Sequence, residues 1–98
     1  MDRILLLEAW YRAQCNGDWE HQHGVKIDTL DNPGWLLHVS LQETPLENAK
    51  SDPVFIDRTD DDWVHCGVSD GVFAAYGGPR NLHELLDRFL QFAGAIKE

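Results

Sequence analysis

The chain has 98 residues, of which 43% are apolar and 26% charged, a composition typical of one folded domain and not of a disordered segment. Its 8 Lys and Arg residues against 17 Asp and Glu residues give a formal net charge of −9, which argues against nucleic acid or an anionic membrane as the direct ligand. No apolar run is long enough for a signal sequence or a membrane span, so we expect a cytoplasmic protein.

The N-terminal segment, residues 2–15, has the spacing of an amphipathic helix. Ile4, Leu7, Tyr11 and Cys15 follow one another at intervals of three or four residues. The sequence Asn16-Gly17-Asp18 then supplies a stop signal, so the helix is expected to end near Cys15.

Alternating apolar residues predict a first β-hairpin, with strands over residues 25–29 and 35–41. Pro33 and Gly34 suit the central positions of a type II turn between them. Both apolar sets fall on odd positions. They therefore share one face if the loop has three or five residues, whereas a four-residue loop would place Asp28 opposite Leu37.

A polar loop is expected over residues 43–53 and a short strand over residues 54–56, followed by a second hairpin with strands 63–68 and 72–76. Ser69-Asp70-Gly71 is interpreted as a three-residue loop, with Gly71 in the left-handed position. That register would pair Val68 with Val72.

The clearest element is a C-terminal amphipathic helix over residues 82–96, with Asn81 as N-cap and Glu84 completing a capping box. The sequence therefore predicts an α+β fold: an antiparallel sheet of four or five strands, flanked by an N-terminal and a C-terminal helix packed on one face. Residues 1–98 are expected to form a single domain.

Two one-sided helices would leave the other face of this sheet uncovered, and we expect a partner protein to bind there. Asp60-Asp61-Asp62 could present carboxylates to a basic partner, or could simply be a hydrated loop. The expected contact residues are Asp28, His38, Asp60, Asp61, Asp62, Trp63, His65 and Phe73.

The sequence supports a catalytic function less well than a binding function. Glu20, His21 and His23 offer metal-ligand chemistry, but no further ligands recur at a recognised spacing. Cys66 could act as a nucleophile, yet it alternates within a predicted strand and reads better as a small buried residue. Both cysteines are expected to be free thiols. No cofactor or metal is indicated, and a binding protein is favoured over a small metal- or thiol-dependent enzyme or an assembly subunit.

Several short motifs occur in a distinctive order. They are Trp10-Tyr11, Gln14 to Glu20 with its Trp19-Glu20 pair, Pro33-Gly34-Trp35, Asp61-Asp62-Trp63 and Gly77-Gly78-Pro79 before Asn81. Together they resemble the bacterial immunity protein 53 family over nearly the whole chain. The resemblance implies an α+β immunity protein, made beside a polymorphic toxin, that binds and neutralises that toxin; such toxins are frequently nucleases. It implies no catalytic residues, and Trp19, Glu20, Pro33, Gly34 and Trp35 are motif positions that could hold the fold.

The negative charge of the chain agrees with the function that the resemblance implies. A toxin that acts on nucleic acid must itself attract it, so a strongly acidic inhibitor would complement its charge and speed their encounter. The expected partner is accordingly a basic cognate toxin domain.

Overall fold

The computed structural model describes residues 2–96, which form one antiparallel sheet and three helices. The strands lie in the order β1-β2-β5-β4-β3. The elements in chain order are α1 Arg3–Gln14, α2 Trp19–Gln22, β1 Val25–Leu30, β2 Gly34–Ser40, β3 Val54–Thr59, β4 Asp62–Ser69, β5 Val72–Gly77 and α3 Leu82–Phe92. This confirms the predicted α+β class, with five strands.

Both long helices pack on the same face of the sheet. Leu7 of α1 and the buried face of α3 join one apolar cluster with inward residues of β2, β4 and β5. The cluster consists of Leu7, Leu37, Val39, Leu41, Val64, Cys66, Phe73, Ala75, Leu85, Leu86, Phe89 and Leu90. The predicted apolar stripe of the C-terminal helix is therefore the part of it that packs on the sheet.

Helix α1 is less deeply buried than its sequence stripe suggests. It ends at Gln14, and Leu7 is its one buried residue. The helix packs mainly against α3, where Arg3 forms an ion pair with Asp87 at 2.8 Å and the Trp10 ring meets Phe89 edge to face. Because α1 lies at the side of the core, part of its apolar surface stays accessible.

The first hairpin has one of the loop lengths that place both apolar sets on one face. Ile27 pairs with Leu37 and Leu30 with Gly34, so the loop has three residues. The predicted type II turn is wrong, because Gly34 belongs to β2. A side chain at Gly34 would collide with the carbonyl oxygen of Gly77 on the neighbouring strand, which explains a glycine in the strand.

The second hairpin has a different register from the predicted one, and this corrects the placement of Phe73. Ser69 pairs with Val72 and Val68 with Phe73, so the turn consists of Asp70 and Gly71 alone. Both turn residues have positive φ, 53° and 74°, as in a type I′ hairpin turn. A one-residue shift reverses every side chain of a strand. Phe73, expected on the uncovered face, is therefore in the core and 1% exposed.

Asn81 precedes α3 as predicted, but it does not cap the helix with its side chain. Its amide instead accepts a hydrogen bond from the backbone N–H of Trp63 at 3.3 Å. It also donates to Asp62 at 3.0 Å and to Glu84 at 3.1 Å. The predicted capping box is therefore wrong, because the Asn81 side chain joins α3 to the start of β4.

None of the helices described over residues 2–96 has both the length and the apolar character needed to cross a bilayer.

Candidate partner-binding surface

The sheet face opposite α1 and α3 carries a mixed aromatic and polar surface, which we call the open face. Side chains alternate between the two faces of a strand. Because the inward residues of these strands form the core, the residues between them lie on the open face. Its side chains are Lys26, Asp28, Leu30, Leu36, His38, Ser40, Phe55, Asp57, Trp63, His65, Ser69, Val72, Ala74 and Tyr76.

One row of paired residues crosses the open face from edge to edge. In order from β1 to β3 it runs through Asp28, Leu36, Tyr76, His65 and Phe55. Directly paired side chains on one face lie close enough to contact each other. The row thus places a carboxylate at one edge and aromatic side chains across the centre and the other edge.

His38 lies beside this row and contacts Tyr76. Its Nε2 lies 2.9 Å from the Tyr76 hydroxyl, and the two rings meet edge to face. Burial, reinforced by the nearby Lys26 ammonium, lowers the pKa of His38. A neutral His38 can accept a hydrogen bond from the Tyr76 hydroxyl, which fixes both rings on the open face.

A second cluster lies at the β3 edge around His65. Its Nε2 is 2.8 Å from a carboxylate oxygen of Asp57. The His65 ring also packs between two aromatic rings, with centroids 5.2 Å from Phe55 and 5.0 Å from Trp63. The contacts hold the His65 imidazole in place on a half-exposed aromatic surface.

The three consecutive aspartates differ in their surroundings. Asp60 and Asp61 form the turn between β3 and β4, and Asp61 accepts a hydrogen bond from Thr59 at 2.8 Å. Asp62 accepts hydrogen bonds from Arg58 at 2.8 Å and from Asn81. These two hydrogen bonds, of which that from Asn81 has the larger effect, lower the pKa of Asp62. Asp62 therefore has a role within the molecule, while Asp60 is exposed to solvent.

The Trp19-Glu20 pair stabilises the connection after α1. Trp19 is buried, and its indole N–H donates to the Gln42 carbonyl at 2.9 Å. The Glu20 carboxylate accepts hydrogen bonds from the backbone N–H groups of Asn16 and Gly17 at 2.9 and 2.8 Å. Backbone hydrogen bonds of this kind, including one from its own N–H, lower the pKa of Glu20.

The Pro33-Gly34-Trp35 motif meets the Gly77-Gly78-Pro79 motif in space. The Trp35 indole donates to the Pro79 carbonyl at 3.0 Å, while Gly34 lies against the carbonyl of Gly77. Motif residues far apart in sequence thus fasten one end of the sheet. Their contacts give these motifs a structural role.

The residues of the catalytic alternative lie on or next to α2, except for Cys66, which lies in the core. His23 contacts Ser40 through Nδ1 at 3.1 Å and Glu43 through Nε2 at 3.0 Å, and His21 lies on the short helix α2. Among residues 2–96 no three His, Cys, Asp or Glu side chains are placed to hold a metal. Burial raises the pKa of the Cys66 thiol, which disfavours the thiolate that nucleophilic chemistry needs. Cys15 and Cys66 are both free.

Of the predicted contact residues, Asp28, His38, Trp63 and His65 share the open face, with Asp60 and Asp61 in the adjoining turn. Sequence reasoning missed Phe55, Asp57 and Tyr76. The Asp70-Gly71 dipeptide was the signal that could have found Tyr76, because a two-residue turn places it outward.

These features describe a small α+β domain whose sheet is covered by helices on one face only. The family model of Immunity protein 53 matches residues 4–94, and the chain belongs to that family. Comparison with curated proteins and with solved structures gave no match.

Proposed function

We propose that this chain is an immunity protein that neutralises a cognate bacterial toxin domain by binding it directly, without catalysing a reaction. The observation that carries the proposal is the family match, which extends over residues 4–94 of the 98-residue chain. Membership supports an immunity function, and direct binding is the simplest way for a small domain to provide one. We expect the complex to form in the cytoplasm of the producing cell.

The side chains considered for catalysis support a binding role rather than an enzymatic one. Glu20 binds backbone N–H groups, His23 contacts Ser40 and Glu43, and Cys66 lies in the core. Groups held in this way are placed to maintain the fold. We therefore favour a binding protein over a metal- or thiol-dependent enzyme.

The net charge of −9 suggests the chemistry of the partner. Complementary charge accelerates encounter and favours a basic partner over an acidic one. A toxin that acts on nucleic acid would have such a surface, because it must attract phosphates. We therefore expect a basic toxin domain, and we do not expect nucleic acid or a membrane as a direct ligand of this chain.

A protection assay tests the proposal. The toxin domain encoded in the neighbouring gene is expressed in cells with and without this chain, and the two proteins are then co-purified. We expect survival to be restored and a stoichiometric complex to form. A folded chain that neither protects cells from a demonstrably active toxin nor binds it would contradict the proposal.

A further inference from the structure

A shallow depression lies on the open face over strands β3, β4 and β5. Its floor contains Gly67 and Ala74, which are paired across β4 and β5. Neither residue has a side chain beyond Cβ, so Phe55, His65 and Tyr76 stand around the floor as aromatic walls. A Cβ added to Gly67 would meet no atom nearer than 3.7 Å. The depression is therefore accessible space with an apolar floor.

Phe55 is the most exposed large apolar residue beside this depression. It lies on the edge strand β3 with 70% of its surface exposed, although its ring is already positioned against His65. Burial of apolar surface favours association. A partner that covered Phe55 would bury such surface and would not have to order the His65 ring, which is already held by Asp57.

Carboxylates lie at both edges of the open face. Asp28 is at the β1 edge of the open face, and Asp57 and Asp60 are at the β3 edge and its turn. Lys26 is the cation on β1 of this face. Arg58 lines a concavity at the β3 edge with Asp57, Trp63 and His65, and its guanidinium is paired with Asp62 and Glu84.

Charge also decides between a foreign partner and a second copy of the chain. Two copies meeting through their open faces would bring two sets of carboxylates together, each on a molecule of net charge −9. Like charges that face each other across an interface are unfavourable. A basic surface would instead pair with them.

We infer that the open face is the surface that contacts the toxin domain. An apolar side chain of the toxin enters the depression beside Phe55, and basic side chains around it meet Asp28, Asp57 and Asp60. The inference rests on the proposed function, since it takes the toxin domain as occupant. An aromatic anchor site surrounded by polar and charged residues is the usual anatomy of a protein interface.

Matched lysine substitutions test this assignment. Phe55→Lys places a charge beside the depression, and Leu5→Lys makes the same change in charge on α1, where Leu5 is 61% exposed. A third variant, Ile4→Lys, probes the other partly exposed apolar groove, between α1 and β1. Affinity for the purified, inactivated toxin domain from the neighbouring gene is measured for each, after thermal unfolding has shown that each variant is folded.

We expect Phe55→Lys to weaken binding by about 10-fold or more, in the range of an interface anchor residue. Leu5→Lys and Ile4→Lys should change it by less than about 3-fold, as surface positions outside the contact do. Hydrogen exchange in the complex should slow in β3 and β4 and remain unchanged in α1. This pattern would support the open face.

Two results would overturn the inference while leaving the proposed function intact. One is a wild-type complex that Ile4→Lys or Leu5→Lys weakens as much as Phe55→Lys. The other is a dimer of the chain alone at micromolar concentration, observed by sedimentation, that Phe55→Lys abolishes. A wild-type chain that forms no complex with the toxin domain would instead contradict the proposed function itself.

Discussion

Asn81 is a buried polar side chain whose contacts join three parts of the chain. It is 3% exposed, and its amide bonds to the Trp63 backbone and to two carboxylates. Asp62 and Glu84 also share Arg58, so the amide and the guanidinium together hold two carboxylates close to each other. Each buried polar group needs such a partner, because burial without one costs more than the bond itself contributes.

We expect Asn81→Ala to lower the free energy of unfolding by about 1–3 kcal/mol, since it leaves buried groups without a partner. Asn81→Asp should be more damaging at neutral pH, because it adds a third carboxylate beside Asp62 and Glu84. Urea unfolding of both variants at pH 7 and pH 4 checks this. If the two substitutions are equally destabilising at pH 7, the hydrogen bonds from the amide N–H groups to the carboxylates do not account for the stability that Asn81 contributes.

We expect His38 to make the folded chain sensitive to mild acid. Burial and Lys26 lower its pKa from the ordinary value of 6.5. The folded state then binds fewer protons than the unfolded chain, so the free energy of unfolding falls as the pH drops below about 6.5. Asn81 and then Arg58 lower the pKa of Asp62, whereas Arg58 and then Asn81 lower the pKa of Glu84. The stability that these two carboxylates contribute is therefore lost only at more acidic pH, as the pH falls below the ordinary pKa values of 3.8 and 4.5.

A His38→Gln variant should therefore lose stability less steeply than the wild type between pH 7 and pH 5. His83→Gln, which removes an exposed histidine on α3, is the matched control. Urea unfolding at several pH values measures the slopes. A wild-type slope retained in His38→Gln would assign the acid sensitivity to another group.

The close approach of β2 and β5 depends on the absence of a side chain at Gly34. A Cβ at this position would collide with the carbonyl oxygen of Gly77, a backbone atom that no rotamer change can move away. We expect Gly34→Ala to destabilise the fold by about 1–3 kcal/mol, the usual cost of overpacking. At Gly24 a Cβ would meet nothing within 4 Å, so Gly24→Ala is the control.

Thermal unfolding of the two glycine variants tests whether a Cβ at Gly34 destabilises the fold more than a Cβ at Gly24. A large drop in melting temperature for Gly34→Ala beside a small change for Gly24→Ala is the expected result. Equal melting temperatures would mean that the strands separate slightly at little cost.

The hairpins show what local sequence can predict. Parity of the apolar positions limited the first hairpin to a three- or five-residue loop if both apolar sets were to share a face, and the structure has the three-residue loop, with Ile27 opposite Leu37. In the second hairpin the choice between a two- and a three-residue turn decided the face of Phe73, and the positive φ of both Asp70 and Gly71 favours the shorter turn. The amphipathic C-terminal helix was predicted because its 3.6-residue period is local.

The candidate surface could be predicted only in part. Asp28, His38, Trp63 and His65 were placed together because alternation along strands is visible in the sequence. The role of Asp62 was missed because its partners Arg58, Asn81 and Glu84 meet it only after α3 packs on the sheet. Contacts of this kind depend on tertiary packing, and no local pattern encodes them.

For the molecule as a whole, the question is whether overall charge or local charge guides the partner. A net charge of −9 attracts a basic protein from any direction, whereas Asp57 and Asp60 would attract it to the open face. At physiological ionic strength the screening length is about 8 Å, so carboxylates near the contact should count more than distant ones. The two contributions can be separated by removing the same amount of charge at different places.

Two double variants make this comparison, each removing two negative charges. Asp57→Asn with Asp60→Asn alters the β3 edge of the open face, and Glu8→Gln with Asp18→Asn alters exposed positions on and after α1. We expect the first pair to slow association with the toxin domain by about 3- to 10-fold at low salt and to flatten its salt dependence. The second pair should have a smaller effect. Stopped-flow association rates across a salt series would show the difference; equal slopes for both pairs would mean that overall charge guides encounter, and a flat wild-type slope would mean that the partner is not basic.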